Sequence, residues 1–170
     1  MDEKLKKIKL LILDVDGVMT DGRIIIDEKG KEYRSFNVKD GFGIVAMIKS
    51  GLKVAIITSK ESKVTEKRAK KLNIELIYQG TLNKKKAYDD IKDRLALRDE
   101  DICYIGDDMV DIPPMEKAGL KVAVADAADD VKKIADYITK KDGGKGAIRE
   151  IAEMILKSQG KWEKILGFLR

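Results

Sequence analysis

At 170 residues, with 44% hydrophobic and 38% charged side chains, the chain has one domain's length and enough apolar content for a single core. With no histidine, Ser-His-Asp and Cys-His catalysis, phosphohistidine chemistry and His-ligated zinc are excluded; one cysteine excludes an internal disulfide and a Cys-rich zinc site. The net charge of +5 is dispersed among acidic residues, which predicts attraction for anionic small molecules and no nucleic-acid partner. No apolar run is long enough to span a bilayer and no leader pattern opens the chain, so a cytoplasmic protein with no membrane partner is expected.

Strands and helices alternate. Ile8 to Leu13 is a short apolar run of the kind buried on both faces of a sheet. Arg23 to Asp27 and Glu32 to Phe36 flank a Glu28-Lys29-Gly30-Lys31 turn and read as a hairpin. A helix is expected over Gly41 to Ser50, stopped by Gly51, then a strand at Lys53 to Ile57 and a helix at Ser62 to Leu72. Glu75 to Tyr78 (strand), Lys84 to Leu95 (helix), Ile102 to Ile105 (strand), Val110 to Ala118 (helix) and Lys121 to Ala125 (strand) follow. A helix at Asp129 to Ile134, a short Tyr137-Ile138 strand and a helix at Ala147 to Lys157 complete the pattern. This alternation predicts an α/β fold, a Rossmann-like parallel sheet with helices on both faces, whose ligands bind beyond the carboxyl ends of the strands.

Those strand ends carry the chemistry. Asp14 and Asp16, two apart in extended chain, can face one site, and Gly17 lets the backbone turn. Thr58-Ser59-Lys60 follows the next strand, Lys84 opens a helix, and Gly106-Asp107-Asp108 with Asp111 ends another strand. Each piece alone has an ordinary structural explanation: a solvated turn, a helix cap, a charge run. Their succession at consecutive strand ends does not. Carboxylates without His or Cys suit a hard cation such as Mg²⁺, a carboxylate can attack phosphorus, and a lysine can neutralise phosphoryl oxygens. Cys103, inside an apolar strand, is expected in the core. Gly41-x-Gly43-x-x-Ala46 imitates a dinucleotide fingerprint, but the preceding segment is too polar for a buried first strand.

Asp14-Val15-Asp16-Gly17-Val18, Thr58-Ser59-Lys60, Lys84 and Gly106-Asp107-Asp108-x-x-Asp111 resemble the four motifs of the haloacid dehalogenase superfamily. Thr20-Asp21-Gly22, Asn37-Val38-Lys39-Asp40-Gly41, Tyr78-Gln79-Gly80 and Gly143-Gly144-x-Gly146-Ala147-x-Arg149-Glu150 resemble its 3-deoxy-D-manno-octulosonate 8-phosphate phosphatase branch. The resemblance implies a Mg²⁺-dependent hydrolase of a sugar acid phosphate serving lipopolysaccharide precursor synthesis. By the same resemblance Asp14 is the nucleophile, Asp16 the general acid and base, and Thr58 and Lys84 the phosphoryl ligands. It gives the cation to Asp14, the Asp16 carbonyl and Asp107, with Asp108 or Asp111 in support. It gives substrate contacts to Asp16, Asn37, Val38, Lys39, Asp40, Gly41, Lys60, Arg68 and Lys84. This chain departs from the branch in having Ser59-Lys60 where Gly-Arg is usual, and a lysine lacks the planar fork that grips a carboxylate.

Only about nineteen residues separate Asp21 from the Gly41 helix, room for a hairpin at 23–36 and not for a cap domain. One domain over 1–170 is therefore expected, with neighbouring subunits closing the site; the resemblance implies a homotetramer. Trp162, Ile165, Leu166 and Leu169 have helical spacing and serve either their own domain or a neighbour. Gly143, Gly144 and Gly146 are expected to form a flexible entry to the helix start at Ala147-Ile148-Arg149-Glu150, and the 158–170 tail to reach a neighbouring subunit's active-site mouth. Two other readings are a phosphatase for nine-carbon sialic-acid-type sugar phosphates and a non-enzymatic phospho-acceptor domain; the latter gives Asp16 no purpose.

Overall fold

The computed structural model describes residues 1–167. Eight strands occur among them: β1 (Leu10–Leu13), β2 (Ile25–Ile26), β3 (Glu32–Tyr33), β4 (Lys53–Ile57), β5 (Leu76–Tyr78), β6 (Ile102–Gly106), β7 (Leu120–Ala123) and β8 (Tyr137–Ile138). Six form a parallel sheet in the order β5-β4-β1-β6-β7-β8, while β2 and β3 pair as an antiparallel hairpin. The helices are α1 (Asp2–Lys7), α2 (Val38–Lys49), α3 (Lys63–Lys71), α4 (Lys84–Arg94), α5 (Ile112–Met115), α6 (Asp129–Ile134), α7 (Ala147–Ser158) and α8 (Trp162–Gly167). Every residue of β1 is fully buried, as a central strand covered on both faces requires. The chain leaves β1 for β4 and β5 on one side, then returns to lay β6 against the other side. That reversal puts the switch point, where α/β sheets open a ligand crevice, between the ends of β1 and β6.

No cap domain intervenes between β1 and α2; the hairpin is all that stands there. The helix expected from Gly41 starts at Val38, because the Asn37 side chain accepts from the Lys39 amide and caps it earlier. The helix expected over Val110 to Ala118 is instead a 3₁₀ turn, Met109–Asp111, followed by α5 alone. Asp108 caps that turn, and Pro113 and Pro114 fit only in the first turn of α5. α1 and a second 3₁₀ turn, Asp99–Asp101, are too short and polar to show a periodic signal.

In the C-terminal third one expectation needs correction, and one open alternative is decided. Gly143 and Gly144 are a tight backbone brace and not a flexible entry. A Cβ on Gly143 would lie 1.6 Å from the Gly17 carbonyl oxygen, and one on Gly144 would lie 2.4 Å from the Thr20 carbonyl carbon. The Gly144 amide donates to the Val18 carbonyl and the Gly143 amide to Asp126. α8 packs on its own domain: Trp162 and Ile165 are buried, and the Trp162 ring meets Phe42 edge-on at 6.5 Å beneath the Arg149 guanidinium. Leu169 and Arg170 lie outside the described residues, as does the side chain of Leu166.

Candidate active site

The sheet register sets the site. Leu13 pairs with Ile56 on one side and Ile105 on the other, so the next residues, Asp14, Ile57-Thr58 and Gly106-Asp107, emerge side by side. Lys84 begins α4 behind an Asn83 cap and points inward, 2% exposed, a burial lysine tolerates only when paired. Its Nζ donates to Asp14 Oδ1 and to Asp111 Oδ1, each at 2.7 Å. Asp111 Oδ1 also accepts from the Tyr104 hydroxyl at 2.8 Å, and its Oδ2 accepts from the amides of Asp107 and Asp108. Asp111 thus fixes the lysine and the loop after β6 together. Gly106 makes this possible, since a Cβ there would fall 2.5 Å from that of Asp111.

Gly17 has φ +91°, and a Cβ on it would sit 2.0 Å from Asp107 Oδ2. Only glycine lets the loop after β1 and the Asp107 carboxylate share this space. Thr20 holds the same loop: its hydroxyl donates to the Val15 carbonyl and accepts from the Gly17 and Gly22 amides.

Oxygens of Asp14, Asp107 and Asp111 lie within 4.8 Å of one another. Burial, then the charge of Asp111, pushes the Asp14 carboxyl up to about 7 against the pull of Lys84. Burial, then the charges of Asp14 and Asp111, pushes Asp107 up to about 8. Burial opposes the charge on Lys84, but Asp14 and Asp111 outweigh it and raise the ammonium's pKa. Three carboxylates against one ammonium leave excess negative charge that a divalent cation would neutralise. Asp107 Oδ1 is buried with no hydrogen-bond partner, and such an orphaned oxygen fits a metal ligand. The oxygens of Asp111 are already taken, so the residues that fit a Mg²⁺ are Asp14 and Asp107. Asp108 is exposed, and its carboxylate accepts from the Met109 amide.

Thr58 is buried at the end of β4, and its hydroxyl accepts from the Lys60 amide. Lys60 is exposed and has no ion-pair partner among the described residues. Several residues that the resemblance places at substrate contacts also hold the framework together. Asp40 is buried, and its carboxylate accepts from the Gly146 and Arg149 amides, capping α7. Asn37 Nδ2 donates to the Gly144 carbonyl while Oδ1 caps α2. Gly41 makes room for Arg68, whose Nη2 would be 2.4 Å from a Cβ there and donates to the Asn37 carbonyl. Val38 and Lys39 project outward from the first turn of α2. Three residues that sequence reasoning passed over or weighed too lightly matter here: Asp111 as the keystone, Tyr104 as its hydroxyl donor, and Arg34. Arg34 follows β3, and its Nη1 lies 3.1 Å from Asp16 Oδ1. Tyr104 looked like an apolar strand residue, and the hairpin's sequence does not reveal which side chain turns inward.

A sheet that reverses at the β1/β6 junction, with paired carboxylates, a buried lysine and a hydroxyl converging there, defines a class of hydrolase. Residues 54–151 match the haloacid dehalogenase-like hydrolase family model, and the chain belongs to that family. More particularly, it is 46% identical over 164 residues, 96% of this chain and 87% of the relative, to the 3-deoxy-D-manno-octulosonate 8-phosphate phosphatase KdsC of Escherichia coli K12. The solved phosphatase of that name from Yersinia pestis superposes with a TM-score of 0.94 at 45% identity, covering 95% of this chain and 88% of that one. The Moraxella catarrhalis enzyme, in complex with a magnesium ion, a phosphate ion and a KDO molecule, superposes at 0.96 with 38% identity, covering 99% and 97%.

Proposed function

We propose that the protein is a Mg²⁺-dependent phosphatase that hydrolyses 3-deoxy-D-manno-octulosonate 8-phosphate to the free sugar acid and inorganic phosphate. The observation that carries this reading is Lys84 held 2.7 Å from both Asp14 and Asp111, beside the orphaned oxygen of Asp107. Asp14, Asp107 and the Asp16 carbonyl would hold Mg²⁺, which would supply charge neutralisation for the incoming phosphoryl group. Asp14 attacks phosphorus as the bond to the sugar oxygen breaks, and Asp16 gives that oxygen its proton. Asp16 then takes a proton from the water that splits the aspartyl-phosphate, returning Asp14 to its carboxylate. Lys84 and Thr58 hold the phosphoryl oxygens. Lys60 and Lys39, exposed cations outside the carboxylate cluster, recognise the sugar carboxylate, with Arg68 behind the first turn of α2.

The chain forms one phosphatase domain over 1–170, with the 23–36 hairpin inserted ahead of α2. Ile24, Ile25, Ile26 and Tyr33 are all exposed on that hairpin, an apolar stripe that its own domain does not cover. It suits assembly into a cytoplasmic homotetramer whose neighbours close the site, acting in lipopolysaccharide precursor synthesis. Light scattering tests the assembly: a tetramer is expected, and a monomer at micromolar concentration contradicts it. Phosphate release from a panel of eight- and nine-carbon sugar acid phosphates with Mg²⁺ tests the chemistry. The eight-carbon substrate is expected to lead, and preference for a nine-carbon one overturns that assignment.

A further inference from the structure

The hairpin carries one inward-turned cation among outward-facing neighbours. Ile25, Ile26, Glu32 and Tyr33 are exposed, whereas the Arg34 side chain is 6% exposed. Its Nη1 lies 3.1 Å from Asp16 Oδ1 and donates to the Thr65 hydroxyl at 3.4 Å. Thr65 is fully buried in α3, so the guanidinium bridges three separate segments: the loop after β1, the hairpin and α3. Asp16 itself is a third exposed.

We propose that Arg34 is a positioning residue for the proton transfers of Asp16, and so joins the hairpin to the chemistry as well as to assembly; the proposal rests on the phosphatase reading above. Guanidinium is a donor only, so it grips Oδ1 without competing for the proton in transit. With Oδ1 held, the carboxyl is fixed in one rotamer and Oδ2 is left to face the leaving oxygen. A freely rotating Asp16 would spend much of its time away from that line, and proton transfer is sensitive to such misplacement. In the transfer itself, the bond from phosphorus to the alcohol oxygen breaks while Asp14 Oδ bonds to phosphorus. The proton on Asp16 passes to that oxygen, leaving Asp16 as a carboxylate paired with Arg34.

The test is the dependence of kcat/KM on the leaving group, because kcat/KM reports only the steps through aspartyl-phosphate formation. Wild type, Arg34→Met and Arg34→Lys are compared on phosphate esters from p-nitrophenyl through phenyl to simple alkyl, together with the sugar acid phosphate. A p-nitrophenolate leaves without a proton, so Arg34→Met should cost it less than about threefold, while alkyl esters should lose roughly 10- to 100-fold, a part of what general acid catalysis contributes. Arg34→Lys should recover part of the alkyl loss. A loss equal across the series, as damage to the fold gives, overturns the proposal. So does a loss confined to the sugar acid, as direct substrate contact gives, or no loss anywhere. If wild type cleaves the simple esters but not the sugar acid phosphate, the substrate assignment fails while the leaving-group series still decides the role of Arg34.

Discussion

Asp111 contributes its charge to the site without offering a free oxygen: four donors, from Lys84, Tyr104, Asp107 and Asp108, share its carboxylate. Asp111→Ala should therefore act on stability as well as catalysis. It leaves a buried ammonium with one partner and a buried hydroxyl with none, at a cost of about 3–5 kcal/mol, readable by chemical denaturation. A loss under about 1 kcal/mol would contradict the keystone role. Gly17→Ala should act on the metal, since its methyl would occupy the place of Asp107 Oδ2. Mg²⁺ affinity measured by calorimetry is expected to fall roughly 10- to 100-fold, as when a ligand's supports are disturbed. Asp14, Lys84 and Asp107, which the structure brings together, were legible because each follows a strand or opens a helix within a recognisable motif. Tyr104 and Arg34 were not, because their roles depend on which way a side chain turns.

Between elements, α2 and α7 are tied by a buried acid. Asp40, in the first turn of α2, caps the start of α7 through the Gly146 and Arg149 amides, complementing the positive end of the α7 dipole. Asp40→Ala should destabilise the fold by about 1–3 kcal/mol through the unpaired amides, while Mg²⁺ affinity stays within about threefold of wild type. A collapse of Mg²⁺ binding with unchanged stability would place Asp40 in the site and not in the frame. The order of strands and helices was readable from periodicity and turn residues. Misjudged boundaries came from side-chain caps at Asn37 and Asp108, and the misread flexibility from glycines at 143 and 144, which pack against the loop after β1. Contacts such as those of Gly143 and Gly144 join positions far apart in the chain and leave no local pattern.

For the molecule as a whole, the carboxylate cluster links stability, pH and metal. Asp14 and Asp107, raised from 3.8 to about 7 and about 8, keep protons in the folded state that the unfolded chain releases near pH 4. Their favourable contribution to the metal-free protein is therefore complete below pH 3.8 and is lost as pH rises through about 7 and 8. Mg²⁺ replaces those protons, so the rise in Tm on adding it should grow from about pH 6 to about pH 8.5. A pH-independent rise would contradict the clustering. Trp162 closes the core over Phe42, and Trp162→Ala should cost about 3–5 kcal/mol, read by thermal or chemical unfolding.

A Mg²⁺-dependent phosphatase that works through Asp14 must lose turnover when either the metal or that carboxylate is removed. The most direct measurement of this is phosphate release from 3-deoxy-D-manno-octulosonate 8-phosphate by wild type and Asp14→Asn, with Mg²⁺ and with chelator. Release by the wild type that needs Mg²⁺ and is abolished in Asp14→Asn, whose circular dichroism is unchanged, is the predicted result. Near-normal Mg²⁺-dependent release by Asp14→Asn, or wild-type release indifferent to chelation, would contradict it.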